Sequence, residues 1–354
     1  MDLALGQRLR ELPGPILLTG HTGFKGTWLT LLLERLNVPV VGLSLAPQKD
    51  SLFERAARQG KIHEVFTDIC GYSQVERFIV ETQPSAILHM AAQPLVLESY
   101  KAPRETFSTN VMGTVNILNT AFSCDSVKLV GVVTTDKVYR NDDSGRAFVE
   151  SDPLAGKDPY SASKVGAEAA VAAWQQIRKV NGGPKVISLR AGNVIGGGDW
   201  ADSRLLPDLA KGFIADKHVI LRNPESTRPW QHVLDPLRGY LMAMEYLLDG
   251  GEIEALNFGP AAASLKVRDV VEVAQRSWPK PTDVSFSENS SSVVREAVAL
   301  QLNAYMANTL LGWQMKWTQA EAVASTIRWW DQITNNAMKP HDACIKDIEK
   351  MLDN

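Results

Sequence analysis

The sequence predicts an α/β protein with a doubly wound parallel sheet and a second, smaller α/β domain that binds substrate. A short apolar strand precedes a glycine-rich turn near the N-terminus, strands and helices alternate to about residue 190, and loops rich in Gly, Pro and Trp follow. Short continuous apolar runs are typical of parallel strands, which are covered on both faces. Their alternation with helices predicts βαβ units.

The first strand, Ile16–Leu18, leads directly into the glycine-rich turn, and a Leu-rich helix is predicted over Thr27–Leu36. Glycine permits the tight turn, lets backbone approach a diphosphate and lets the helix pack on the strand, while the helix N-terminus offers free N–H groups. The turn therefore predicts a Rossmann-type dinucleotide site. Its cofactor-binding candidates are Gly20, Thr22, Gly23, Phe24 and Gly26.

The second strand, Pro39–Leu45, ends without the acidic residue that usually binds the adenosine ribose about 20 residues after the turn. Ser44 is a candidate to accept a hydrogen bond from a ribose hydroxyl, and Lys49 is a candidate to reach a 2′-phosphate. The residues at this strand end therefore leave NAD and NADP open.

The third strand is predicted over Val65–Ile69, with Asp68 and Ile69 as candidates to contact the adenine. Asp68 is equally suited to cap the helix predicted over Ser73–Thr82. Both interpretations of Asp68 stay open at this point.

The fourth strand, Ser85–Met90, is followed by small residues that let backbone lie against a nicotinamide ribose. A long helix is predicted over Pro103–Phe122. The cofactor candidates of this unit are Ala91, Ala92, Gln93 and Thr109, and Gln93 is also a substrate candidate.

The fifth strand, Val127–Thr134, ends at Thr135, Asp136 and Lys137, on the edge of a parallel sheet where ligands bind. Tyr160 and Lys164 lie four residues apart on the helix predicted over Tyr160–Val180 and so share one face. An ammonium beside a phenol is expected to lower the phenol pKa from about 10, which would make the tyrosine a usable acid/base. Lys164 is also expected to bind the nicotinamide ribose.

Residues 1–191 are predicted to form the dinucleotide-binding domain, to which residues 233–260 return, while residues 192–232 and 261–354 form most of the smaller domain. The sixth strand is predicted over Val186–Arg190 and a later one over Leu256–Gly259. Helices are predicted over Leu205–Phe213, Val233–Leu248 and Trp317–Ile333, a polar loop over Ser285–Val293, and an amphipathic tail over the last fifteen residues.

The composition excludes several other classes of protein. A formal net charge of -3 over 354 residues gives no sign of nucleic-acid binding. The three cysteines have neither metal-ligand spacing nor the even count of a disulfide framework, which favours a reducing cytoplasm and no metal. No stretch approaches the roughly 18 apolar residues of a membrane span.

The glycine turn, Thr135, Tyr160 and Lys164 together resemble the short-chain dehydrogenase/reductase superfamily, in its extended branch that modifies nucleotide sugars. Within that branch, five stretches are similar to the CDP-glucose 4,6-dehydratase family: residues 20–26, 89–96, 159–164, 190–200 and 228–233. The resemblance covers roughly residues 15 to 313.

The resemblance implies oxidation of CDP-glucose at C-4, elimination of water across C-5 and C-6, and return of the hydride to C-6. NAD would stay tightly bound and be regenerated in each turnover. Tyr160 would take the proton of the sugar hydroxyl, Asp136 would be the acid, and Lys137 would occupy the position of the base. Lys137 would act either as that base or by stabilising the enolate electrostatically.

A nucleoside diphosphate-sugar also needs groups that bind its phosphates. Arg228 is the leading candidate because a guanidinium binds phosphate oxygens bidentately, and Asn193 is a candidate donor to phosphate or sugar. Arg204 and His232 are further substrate-binding candidates. Family members also lead us to expect a homodimer formed by the helices over Pro103–Phe122 and Tyr160–Val180.

Two other functions stay open. A nucleotide-sugar 4-epimerase needs Tyr and Thr but no acid/base pair for elimination, and Asp136 and Lys137 argue against it. A non-catalytic NAD(P)-binding regulator would be free to lose Tyr160 or Lys164, and both are present.

Overall fold

A computed structural model of the chain describes residues 5–142, 144–201, 204–287 and 300–353. Its centre is a parallel sheet of seven strands. In chain order they are β1 (Ile16–Thr19), β2 (Val40–Ser44), β3 (His63–Phe66), β4 (Ala86–His89), β5 (Leu129–Val133), β6 (Lys185–Ala191) and β7 (Ala255–Phe258). Across the sheet the order is β7-β6-β5-β4-β1-β2-β3, which confirms the predicted doubly wound α/β class.

Helices alternate with the strands along the first half of the chain, and more helices follow in the second half. The longer ones are α1 (Phe24–Arg35), α2 (Tyr72–Thr82), α3 (Gly113–Phe122), α4 (Pro159–Asn181), α5 (Leu205–Ala215), α6 (Leu234–Leu248), α7 (Val267–Ser277), α8 (Tyr305–Leu311), α9 (Gln319–Thr334) and α10 (Pro340–Asp353). Short helices lie at Gln7–Arg10, Leu52–Arg55, Val96–Lys101 and Pro103–Phe107. The amphipathic tail is thus a helix, whose buried face includes Cys344 and Ile348.

Both faces of the sheet are covered because successive residues of its central strands enter opposite apolar cores. Ile16 and Leu18 of β1 belong to the core that α1, α6, α9 and α10 cover, while Leu17 belongs to the core under α2, α3 and α4. Burial on both faces explains why β1 is an uninterrupted apolar run.

The third strand differs from its prediction. The observed β3 is His63–Phe66. It begins two residues before the predicted segment and ends three residues before the end of that segment, so Asp68 and Ile69 lie in the turn that follows it. Ser44 ends β2 opposite Phe66, and β3 therefore has no partner beyond this point. The helix predicted over Pro103–Phe122 includes a π-helical turn at Ser108–Met112, which contains Thr109 and Asn110.

The second half of the chain adds short strand pairs outside the sheet and returns at β7, which pairs with β6. The boundaries of the two domains stay a prediction. The first two residues of the predicted polar loop, Ser285 and Phe286, belong to the short strand Val284–Phe286, and residues 288–293 lie outside the described ranges. None of the helices within those ranges has the length and apolar character needed to cross a bilayer.

Candidate active site

The glycine turn between β1 and α1 leaves room for a ligand at the start of the helix. Gly20 has φ +76°, and a Cβ there would lie 2.8 Å from the Ala91 nitrogen. A Cβ on Gly26 would lie 2.1 Å from the Gly20 carbonyl oxygen. Both glycines are therefore required by the packing of the turn. A Cβ on Gly23 would meet only that carbonyl oxygen, at 3.4 Å, so the protein leaves space beside the free N–H groups where Phe24 begins α1. This arrangement fits a dinucleotide diphosphate.

Two hydroxyl groups join the glycine turn to the end of β2. Thr22 Oγ1 donates to the Leu45 carbonyl at 3.0 Å and lies 2.7 Å from Ser44 Oγ. Since the Thr22 hydrogen goes to the carbonyl, the Ser44 hydroxyl donates to Thr22 and keeps both of its lone pairs as acceptors. That Ser44 accepts a ribose hydroxyl stays a prediction.

The turn after β3 holds the two adenine candidates. The exposed Asp68 carboxylate accepts the Cys70 N–H at 2.8 Å, while the N-cap residue of α2 is Gly71 and no side chain caps the helix. The helix-cap interpretation of Asp68 is therefore wrong. Ile69 is buried against Gly113 of α3. A Cβ added to that glycine would lie 2.4 Å from Ile69 Cδ1.

The loop after β4 is bound to β1 through a buried histidine. Thr19 Oγ1 accepts the Ala91 N–H at 3.1 Å and lies 2.7 Å from His89 Nδ1, while His89 Nε2 lies 3.1 Å from Thr114 Oγ1. Burial, and then the charge of Lys164, lower the pKa of His89 to about 3, so the ring is neutral. These bonds hold Ala91, and Ala92 after it, against the glycine turn.

Gln93 uses its side chain within its own loop. Its Nε2 donates to the Leu95 carbonyl at 3.1 Å and to Thr106 Oγ1 at 3.0 Å, which leaves less of the amide for cofactor or substrate than the sequence predicts. Asn110 holds the loop: its Oδ1 accepts the Gln93 N–H at 2.8 Å and its Nδ2 donates to Ser163 Oγ at 2.8 Å. Sequence reasoning missed Asn110, although buried polar residues in π-helical turns are frequent at functional sites.

The residues after β5 form a buried polar cluster. Asp136 Oδ1 accepts the Thr135 hydroxyl at 2.9 Å and lies 3.5 Å from Lys137 Nζ, which is also 3.5 Å from Asn193 Oδ1. Asp136 is fully buried, and its Oδ2 has no hydrogen-bond partner within the described part of the chain. A Cβ on Gly192 would lie 3.1 Å from this oxygen, so the loop after β6 covers it closely.

Tyr160 faces this cluster from the start of α4, which Asp158 and Ser161 cap reciprocally. Its phenol is hydrogen-bonded to Thr135. The sequence predicts a lowered pKa for Tyr160, but burial raises it, against the opposing charge of Lys137 and the Thr135 hydrogen bond. The expectation is wrong in direction because the loss of hydration outweighs the nearby positive charge.

Lys164 lies one turn further along α4, with Nζ 3.2 Å from the Val133 carbonyl oxygen. Burial lowers its pKa to about 8, and the nearby Glu168 carboxylate opposes that shift. Glu168 in turn forms a buried ion pair with Arg190, with N–O distances of 2.9 and 2.8 Å. Sequence reasoning missed this pair, although Glu168 shares a helix face with Tyr160 and Lys164 at four-residue spacing.

Arg204 and Arg228 lie in two segments that adjoin the cluster. Arg204 precedes α5, and Arg228 belongs to the short strand Thr227–Arg228. Arg204 NH1 donates to Asp199 Oδ2 at 2.8 Å, and its charge acts to lower the pKa of Tyr160. Arg228 pairs with Leu265 in a short antiparallel ladder. The next residue, Pro229, packs against the loop that covers Asp136, since its Cγ would lie 2.9 Å from a Cβ on Gly192. Both arginines thus belong to segments that adjoin the catalytic candidates.

His232 is not part of this cluster, and its predicted role in substrate binding is wrong. The ring is fully buried between Trp28 and Trp317, and its Nε2 lies 3.8 Å from Asp347 Oδ2 on the C-terminal helix. Burial lowers its pKa to about 3. The residue lies in the strand Gln231–His232, beside apolar neighbours that a motif read from the sequence does not reveal.

The sheet order, the glycine turn after β1, and Thr135, Tyr160 and Lys164 at the carboxyl edge are together the arrangement of the extended short-chain dehydrogenases/reductases. Comparison with known families agrees: the model of the NAD dependent epimerase/dehydratase family matches residues 16–259. The chain belongs to this family.

Curated relatives include dehydratases of two nucleotide sugars. The chain is 40% identical over 323 residues to the CDP-glucose 4,6-dehydratase of Salmonella typhimurium, covering 89% of each chain. It is 25% identical over 338 residues to the dTDP-glucose 4,6-dehydratase of Haemophilus influenzae, covering 89% of this chain and 97% of the relative.

Solved structures share the fold. A UDP-glucose-4-epimerase from Stenotrophomonas maltophila with bound NAD superposes with a TM-score of 0.78 at 20% identity, covering 91% of this chain and 99% of that one. A dTDP-glucose 4,6-dehydratase from Streptomyces venezuelae with NAD bound gives 0.76 at 23% identity, covering 92% and 99%.

Proposed function

We propose that this protein is an NAD-dependent dehydratase that converts CDP-glucose to CDP-4-keto-6-deoxyglucose. The observation that carries the proposal is the buried Asp136 carboxylate, which contacts Thr135 and Lys137 beside Tyr160. Oxidation at C-4 alone needs Tyr and Thr, whereas elimination also needs an acid for the leaving hydroxyl and a base for the C-5 proton. The relative from Salmonella typhimurium, itself a CDP-glucose 4,6-dehydratase, supports both the nucleotide and the sugar.

In the first step, the Tyr160 phenolate takes the proton of the C-4 hydroxyl. NAD, when bound, would supply the hydride acceptor for the oxidation at C-4 and the hydride donor for C-6. The Thr135 bond and the charge of Lys137 oppose the burial of Tyr160 and so favour its phenolate. The glycine turn would hold the dinucleotide diphosphate, and Lys164 would bind its nicotinamide ribose.

Before the elimination the Lys137 ammonium passes a proton to Asp136, whose Oδ1 lies 3.5 Å from its Nζ. Asp136 then gives that proton to the C-6 oxygen, which leaves as water, and the neutral Lys137 amine is the candidate to take the C-5 proton. Within the described residues, Oδ2 is the Asp136 oxygen that forms no hydrogen bond, while Oδ1 accepts the Thr135 hydroxyl. The Lys137 ammonium returns its proton to C-5 as the hydride reaches C-6.

The balance of protons leaves Tyr160 protonated and Lys137 neutral beside ionised Asp136, so one proton has to pass from Tyr160 through Asp136 to Lys137 before the next turnover. Thr135 provides the path, because it is hydrogen-bonded to the Tyr160 phenol and donates to Asp136 Oδ1 at 2.9 Å. The C-4 hydroxyl proton thus replaces the one lost with water. Arg228, Arg204 and Asn193 are the groups that we assign to the substrate diphosphate and sugar.

The experiment is mass spectrometry of purified protein incubated with CDP-glucose and a trace of NAD in deuterium oxide. We expect a product lighter by one water, with deuterium at C-5 and no net NADH. An unchanged product mass with altered configuration at C-4 would show an epimerase. Recovery of unaltered substrate, with dTDP-glucose and UDP-glucose also unaltered, would refute catalysis of this class.

We also propose a homodimer. Apolar side chains on the helices before and within the π turn are 41–52 % exposed: Leu97, Tyr100, Phe107 and Met112. Large apolar side chains that are exposed on neighbouring segments are a feature of protein–protein contacts. Met112→Glu should convert a dimer to a monomer in sedimentation velocity. Ile220→Glu, at an exposed site on the short strand Val219–Leu221, should leave the dimer intact.

We place the protein in the cytoplasm. All three cysteines are free thiols, and Cys124 and Cys344 are buried, which is typical of a reducing compartment. Fractionation of cells that express the protein would test this location, with activity in the membrane pellet as the contrary result.

A further inference from the structure

Three consecutive residues at the end of β5 are each bonded to one face of α4, where their partners are spaced by four residues: Tyr160, Lys164 and Glu168. The Val133 carbonyl oxygen lies 3.2 Å from Lys164 Nζ. Thr135 is hydrogen-bonded to the Tyr160 phenol. Between these two bonds, the Thr134 hydroxyl donates to Glu168 Oε1 at 2.5 Å. The reaction above uses Tyr160 and Lys164 and gives no part to Glu168.

Glu168 is fixed in place by Arg190 of β6. Its Oε1 accepts a hydrogen bond from Arg190 Nε at 2.9 Å, and its Oε2 accepts one from the Arg190 NH2 group at 2.8 Å. Both side chains are buried, 4% and 6% exposed. Two parallel bonds between a guanidinium and a carboxylate define the orientation of both groups. The carboxylate therefore accepts the Thr134 hydroxyl from a fixed position.

Arg190 also binds the segment that follows the catalytic candidates. Its NH1 group donates to the Tyr139 hydroxyl at 2.8 Å. Tyr139 comes two residues after Lys137. Arg190 itself comes two residues before Gly192, whose loop covers the Asp136 carboxylate closely. The buried ion pair thus joins α4 to both of the segments that enclose Asp136.

A buried ion pair is often no more stabilising than apolar residues of the same volume, so stability alone does not account for one beneath the active site. We propose that Glu168 is a positioning residue of the active site. Through Thr134 it holds the end of β5 against α4, so that Thr135 stays within reach of the Tyr160 phenol, and its charge favours the ammonium form of Lys164. The proposal rests on the proposed function and concerns its first step, the oxidation at C-4.

The charge of Glu168 acts on a lysine one helical turn away. Burial lowers the pKa of Lys164 to about 8, and the Glu168 carboxylate opposes that shift. Titratable groups of other elements face this side of α4: Lys25 of α1, His89 of β4, Asp136 and Lys137 after β5, and Arg190 of β6. Loss of the Glu168 charge should therefore lower the pH at which Lys164 gives up its proton.

The kinetic test is turnover of CDP-glucose by Thr134→Val, which removes the hydroxyl and retains both the shape of the side chain and the ion pair. We expect kcat to fall by up to about 100-fold with little change in KM, because the misplaced groups act in the oxidation rather than in substrate binding. The slowed step should show a full primary isotope effect with substrate deuterated at C-4. A smaller fraction of folded protein would not change the isotope effect.

Two variants control for the substitution itself. Thr134→Ser retains the hydroxyl and should recover most of the lost kcat. Thr120→Val is the matched control: Thr120 is buried on α3, and its hydroxyl has no hydrogen-bond partner within the described part of the chain. It should keep wild-type kcat.

A double variant separates positioning from stability. Combined Glu168→Leu and Arg190→Met replaces the pair by apolar side chains and should unfold at close to the wild-type urea concentration. Positioning predicts that this folded variant stays as slow as Thr134→Val. Wild-type kcat in Thr134→Val, or in the folded double variant, would overturn the proposal.

A further measurement needs no substrate. Lysine labelled with ¹³C at Cε gives a resonance for Lys164 that its loss in Lys164→Arg assigns, and its titration is followed by NMR. Glu168→Gln should move that titration to lower pH, whereas Thr134→Val should leave it unmoved. An unmoved titration in Glu168→Gln would overturn the proposal. Absence of turnover in the wild-type protein would instead refute the proposed function, and the titration would still test the effect of Glu168 on Lys164.

Discussion

Replacement of Glu168 by Ala should destabilise the protein strongly. Glu168 and Arg190 have side chains only 4% and 6% exposed, and Glu168 also accepts the Thr134 hydroxyl at 2.5 Å. The substitution leaves the Arg190 guanidinium buried with only the Tyr139 hydroxyl and the Glu150 carbonyl. Removal of one partner of a buried ion pair costs about 3–5 kcal/mol, and we expect a loss of unfolding free energy of that size.

The measurement is the free energy of unfolding from urea denaturation. Glu252→Ala is the matched control: Glu252 is 63% exposed, pairs with Arg178 and Lys185, and should cost less than about 1 kcal/mol. Combined Glu168→Leu and Arg190→Met should recover much of the stability, since a buried pair replaced by apolar residues is often neutral. If Glu168→Ala lost no more stability than Glu252→Ala, the reasoning about this pair would be refuted.

Three further predictions concern the acid, the lysine beside it and a buried carboxyl. Asp136→Asn should still oxidise CDP-glucose but eliminate no water, so absorbance of bound NADH should persist at 340 nm, the usual wavelength for it; release of the dehydrated product at the wild-type rate would contradict this role. Lys137→Ala removes the main charge that lowers the pKa of Tyr160, so the rise of the oxidation rate with pH should move to higher pH, and an unmoved profile would exclude this effect. Burial raises the pKa of Asp235 to about 7, so its folded state holds the proton more tightly and stability should fall as pH rises from about 4 to 7; Asp235→Asn should remove this part of the slope in melting temperatures, and an identical slope would contradict it.

Much of the framework was predictable because it depends on patterns that are local in sequence. The apolar run at Ile16–Leu18 and the glycines after it predict a strand, a turn and a dinucleotide site, since each of those features has its own steric cause. The end of β3 was not predictable from its residues, because the strand stops where β2 stops offering a partner at Ser44. The residues of a strand therefore do not predict its end when a neighbouring strand sets that end.

The catalytic candidates likewise have some properties that local spacing predicts and others that depend on distant parts of the fold. Spacing on α4 brings Tyr160 and Lys164 to one face, but the pKa of Tyr160 depends on how deeply the fold buries the phenol, and there burial outweighs the cations. His232 gives the reverse case: its motif is typical of substrate loops, yet α10 folds back and encloses it with Asp347. Residue types and spacing indicate which groups are available for chemistry, whereas their ionisation depends on segments distant in the chain.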